Sequence, residues 1–94
     1  MSNAAIVQRM RDACAQWWTG DIDCLSLAAQ LIGHAEALEG VPRRIVEEAH
    51  HWRGELECAS DPAAFGDSAL AIKQLNAVVP KISEWVERIA AEAG

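Results

Sequence analysis

The chain has 94 residues, of which 51% are apolar and 23% charged, with a formal net charge of −6. That balance supports one buried core and excludes both a disordered tail and a catalytic domain with a separate substrate module. One helical domain over 1–94 is the expectation.

The first predicted helix runs over 4–18, with Ser2 or Asn3 as its N-cap and Gly20 as its stop. Ile6, Met10, Ala13 or Cys14, and Trp17 recur at steps of three and four, which assigns Trp17 to the core. Adjacent helical residues point about 100° apart, so Trp18 falls on the flank. Asp21 or Asp23 caps a second helix that ends near Glu39, before Gly40. Its stripes, Leu25, Ala28, Ile32, Ala35 and Leu27, Leu31, Leu38, overlap, as expected of a central helix with most of its circumference covered.

A third helix opens with Pro42 in its first turn and places Ile45, Ala49, Trp52, Leu56 and Ala59 on one face. The stretch SDPAAFGDS carries turn signals and predicts a short extra helical turn near 62–66. Beyond it, Ile72, Leu75, Val79, Ile82, Val86 and Ile89 keep phase through Pro80, with Val78 and Trp85 widening the face. A broken helix has no reason to preserve that register, so one helix over 68–91, kinked at Pro80, is predicted. The fold class is all-α, a compact antiparallel four-helix bundle.

Charge is unevenly distributed. Residues 12–67 carry eleven of the fourteen acids and only Arg43, Arg44 and Arg53 as bases. Such a field repels phosphate backbones and attracts basic surfaces, which excludes nucleic acid as a direct ligand. The opening MSNAAIVQRMRD lacks the apolar run of a signal peptide, and no run of eighteen apolar residues exists to span a membrane. Cys14, Cys24 and Cys58 form no CxxC and no even framework, so they read as small buried hydrophobes in a reducing cytoplasm.

The motif EEAHHWRGELEC, 47–58, contains two overlapping Glu-x-x-His pairs, Glu47 with His50 and Glu48 with His51. A carboxylate-bridged metal site needs a second such pair on another helix, and His34 has no glutamate three residues before it. The expected role is a solvated helix face, with Arg43–Glu47, Arg44–Glu48 and Arg53–Glu57 as i,i+4 pairs. Cys58 lies two helical turns from His51, about 10 Å, too far for a Cys-His nucleophile. No phosphate loop, zinc spacing or nucleophile elbow occurs, so neither enzyme activity nor a metal or cofactor is expected. AEALEGVPRRIVEEAHHW has the outline of a helix-turn-helix, but Glu47 and Glu48 occupy the reading helix and the basic footprint is missing.

Recognition of a protein remains. Trp18 either closes the end of the bundle or serves as an exposed anchor, because tryptophan contributes a large rigid area and one donor. In the second case Asp21, Asp23, Glu36, Glu39, Glu47, Glu48, Glu55 and Glu57 supply complementary charge, and the indole is ringed by acids.

The stretch WWTGDIDCLSLAAQL, a helix ending in a Gly-Asp turn followed by a small-residue-rich helix, resembles the start of small bacterial immunity proteins encoded beside polymorphic or contact-dependent toxins. The resemblance covers residues 10–33. It implies an acidic, cytoplasmic, non-enzymatic protein that neutralises a cognate toxin, often a nuclease with a basic active-site surface, through the acids of 21–57. Phage-encoded inhibitors of host defence, including anti-CRISPR proteins, are similar in size and charge, and imply a nucleic-acid-binding complex as the basic partner. The rival reading is a structural module, a homodimer paired through the heptads of the last helix, where the inhibitor reading expects a monomer.

Overall fold

The computed structural model describes residues 2–60 and 68–93, with side chains placed for 2–59 and 72–92. Four helices account for nearly all of it: α1 (Asn3–Trp18), α2 (Cys24–Ala37), α3 (Arg44–Ser60) and α4 (Ser68–Ala93). No strand occurs among the described residues, in line with the all-α expectation. The short turn expected near 62–66 lies outside the described residues.

Each helix end has a local cause. Ser2 caps α1 by accepting from the Ala5 amide at 3.2 Å. At the far end Gly20 adopts φ 81°, and its amide donates to the Trp17 carbonyl at 3.0 Å while that of Asp21 donates to Gln16 at 2.9 Å. This is a Schellman closure, and only glycine occupies that backbone region without a Cβ penalty. Of the two candidate caps for α2, Asp23 performs the role, accepting from the Ser26 amide at 2.7 Å. α3 begins at Arg44, two residues later than its predicted start, because Pro42 sits in the entering turn and its carbonyl accepts from Ile45 at 3.1 Å.

The helices form a ring in which α1 packs on α2 and α4, and α3 packs on the same two. Neighbours run antiparallel. Arg44, at the start of α3, pairs with Glu92 near the end of α4, and Arg11 of α1 meets Glu87 while Cys14, one turn later, meets Ser83. A reciprocal clamp ties α1 to the end of α2: the Asn3 amide group donates to the Glu39 carbonyl at 2.7 Å and its oxygen accepts from the Glu39 N–H at 2.9 Å. Nothing in the hydrophobic periodicity announces that contact, because both partners are polar and 36 residues apart.

Inside the ring lie Ile6, Met10, Leu27, Leu31, Ile45, Leu56, Val79, Ile82, Val86 and Ile89, each almost completely buried. No polar or charged residue is buried among the described residues, so the core is a hydrophobic one throughout. α4 passes through Pro80 without interruption, as its preserved phase requires. The proline is exposed, and Asn76, whose carbonyl loses its helical donor there, is exposed too, so water can satisfy that oxygen. Pro80→Ala is therefore expected to raise stability by about 1–2 kcal/mol in urea unfolding, less than the full helix-interior difference of ~3 kcal/mol because neighbours pack on the backbone path that proline sets.

Several expectations are corrected. Leu25 is 57% exposed and Ile32 only half-buried, because the buried stripe of α2 is Cys24, Leu27, Ala28, Leu31 and Ala35, and Leu25 lies about 100° from Cys24. α2 is consequently a corner of the ring like its neighbours, not a central helix. Ile72 is 58% exposed although it continues the buried register of α4. Cys58 is exposed rather than buried, since the apolar face of α3 is centred on Leu56 and Ala59. Trp17 and Trp52 pack against the core only partly buried, leaving Trp85 as the tryptophan within it.

Candidate functional site

Trp18 is the last residue of α1 and is 51% exposed. Its ring meets that of Trp17 edge to face, with centroids 4.8 Å apart and planes at 75°. That arrangement suits the aromatic quadrupole and holds the exposed indole in place. The doublet thus divides its work: Trp17 leans on the core and Trp18 stands at the surface.

On one side Trp18 borders a groove of about 240 Å³ between α1 and α4, floored by Cys14, Ala15, Ser83 and Val86. A two-pronged ion pair closes it, Arg11 Nε to Glu87 Oε2 at 2.7 Å and Nη2 to Oε1 at 2.8 Å. The hydrogen bond from Arg11 holds the Glu87 carboxyl below its ordinary range, and Glu87 raises the guanidinium in return. Burial pushes the Cys14 thiol up, with a smaller opposing effect from Ser83, which favours the protonated thiol over the thiolate.

On the other side of Ala15 lies a shallower groove of about 300 Å³, lined by Asp12, Gln16, Thr19 and Asp21. Asp12 accepts from Gln8 Nε2 at 3.0 Å and Asp21 from Thr19 Oγ1 at 2.9 Å; neither has a cationic partner among the described residues. Asp12 was not singled out in the sequence. Reading polar residues at helical spacing would have found it, since Asp12, Gln16 and Thr19 share one face of α1 beside the turn that carries Asp21.

The remaining acids do not gather around Trp18. Glu36 and Glu39 lie at the opposite end of the bundle, where α2 finishes, and Glu47 near the start of α3. Glu48 accepts from Arg44 at 3.1 Å and from Trp85 Nε1 at 3.4 Å, Glu57 from Arg53 at 2.8 Å, and Glu55 lies 3.9 Å from His51. Asp23 is committed to capping α2. Two of the three predicted i,i+4 pairs of α3 form; Arg43 and Glu47 do not pair. Of the predicted acids, Asp21 lines the groove beside the last turns of α1.

Among the described residues no three His, Cys, Asp or Glu side chains stand together as a metal-binding group. His34, half-buried on α2, is held below its ordinary pKa by burial and, to a lesser degree, by Arg9. A histidine kept neutral in this way contributes stability above its unfolded pKa and loses that contribution as pH falls below it. Stability is expected to decline from about pH 7 to about pH 5, with the slope reduced in His34→Gln, as followed by thermal unfolding at each pH.

No helix among the described residues is long and apolar enough to cross a membrane. The fold is an all-α four-helix one in which an exposed tryptophan lines one groove and Asp12 and Asp21 line a second, the two meeting at Ala15. Comparison with known protein families, with characterised proteins and with solved structures finds no match.

Proposed function

We propose that this chain is a small, non-catalytic protein inhibitor that binds a basic surface of a partner protein and blocks it. The observation that supports this reading is the half-exposed Trp18, fixed against Trp17, with Asp12 and Asp21, which make no ion pair among the described residues, in the neighbouring groove across Ala15. An exposed tryptophan on a rigid element is the kind of anchor that dominates interface energies, and surrounding charge adds encounter rate and selectivity. Arg11, Arg44 and Arg53 are engaged by glutamates, and the chain as a whole carries a net charge of −6.

A toxin with a basic nuclease surface and a nucleic-acid-binding defence complex both fit as the partner. The rival reading, self-association through the heptads of α4, is disfavoured by burial: Leu75, Val79, Ile82, Val86 and Ile89 are already covered inside the bundle. Sedimentation at low micromolar concentration is expected to show a monomer, and a stable dimer would favour the rival. The inhibitory role is tested by capturing the partner from the source cells on immobilised protein, then assaying it free and bound. A basic protein whose nucleic-acid binding or cleavage is suppressed in the complex is expected; a partner with an acidic surface, or one fully active when bound, overturns the reading.

A further inference from the structure

Taking the proposed binding role as given, we infer that a partner segment crosses α1 at Ala15, seating an apolar side chain beside Trp18 and a basic one between Asp12 and Asp21. Ala15 lines both grooves and is exposed, so a chain passing from one to the other crosses its methyl group. The two grooves differ in chemistry. One has the indole and Val86 in its wall beside the mutually paired Arg11 and Glu87, the other two carboxylates with no cation among its lining residues.

The geometry sets the spacing of the ligand. A helix with its side chains is about 10 Å across, and an extended chain advances about 3.3 Å per residue, so the apolar and basic residues stand about three positions apart. Among the other grooves of the described residues, that between α1 and α2 sets Arg9 on the far side of Asp12. That between α2 and α3 is apolar, but its charges, Arg53 and Glu57, already satisfy each other.

The probe is a capped peptide, Gly-Leu-Gly-Gly-Arg-Gly, titrated to millimolar concentration into the isotopically labelled full chain and followed by amide and indole chemical shifts. Shifts are expected at Ala15, the Trp18 indole and Asp21, with at least a tenfold weaker response to the same peptide carrying glutamate in place of arginine. Ala15→Arg, at an exposed position where arginine is nearly as good a helix former, is expected to abolish the shifts while leaving the thermal midpoint unchanged. Shifts centred elsewhere, equal shifts from the glutamate peptide, persistence in Ala15→Arg, or no response overturns the docking point. A captured basic partner that binds Ala15→Arg as tightly as the native chain likewise overturns the docking point but leaves the inhibitor role standing. Capture of no basic partner at low salt removes the role itself.

Discussion

Trp85→Ala is expected to destabilise the fold by about 3–5 kcal/mol, the largest effect of any single truncation in the bundle. The side chain is 2% exposed, lies 6.4 Å from Trp52 between ring centroids with planes tilted by 60°, and donates Nε1 to Glu48 at 3.4 Å. Its removal leaves a cavity at the α3–α4 contact and withdraws the support of Trp52, whose own Nε1 is buried without a partner among the described residues. Small domains are stable by only about 5–15 kcal/mol, so this loss removes about a fifth or more of the whole margin. Urea unfolding followed by far-UV circular dichroism measures the loss. Trp85→Phe should retain more than half of the stability, since it restores much of the volume and loses only the long hydrogen bond. A loss below about 1 kcal/mol for the alanine variant would mean that α3 and α4 do not depend on this contact.

Trp18→Ala should behave in the opposite way. With half of its surface in water, the indole buries about half of what Trp85 does, and its removal should cost about 1–2 kcal/mol, well below the loss for Trp85→Ala. Partner affinity should fall by about 30-fold, the equivalent of about 2 kcal/mol, as is typical for truncating an interface anchor. Titration calorimetry against the captured partner reads the affinity and urea unfolding reads the stability. A variant that unfolds readily yet, while folded, binds normally would assign Trp18 to closing the bundle end.

Much of this architecture is legible in the residues because core positions obey a single period. The register from Leu75 to Ile89 predicts a helix through Pro80, and Gly20, Asp23 and Gly40 mark turns by backbone and capping chemistry that is local in sequence. Leu25, Ile72 and Cys58 show the limit of periodicity. An apolar residue on the margin of a stripe is buried only if a neighbouring element reaches it, and that depends on the ring packing, which spacing alone does not encode.

The site is less legible for the same reason. The side-by-side tryptophans reveal that one indole must leave the core, and Trp18 is the one that does. The acids, by contrast, are close in sequence between 21 and 57 but divide between the two ends of an antiparallel bundle. Asp12, 9 residues from Asp21 and on the preceding helix, comes to share a groove with it because the Schellman turn folds the chain back beside α1.

Affinity for the captured partner as a function of salt, compared between the native chain and Asp12→Asn/Asp21→Asn, tests the basic-surface mechanism most directly. Binding is expected to weaken steeply with added salt in the native chain, because exposed charges are screened over about 10 Å at 0.1 M, and the double variant should bind more weakly with a flatter dependence. Equal affinity at low and high salt, or identical salt dependence in the two proteins, would contradict it.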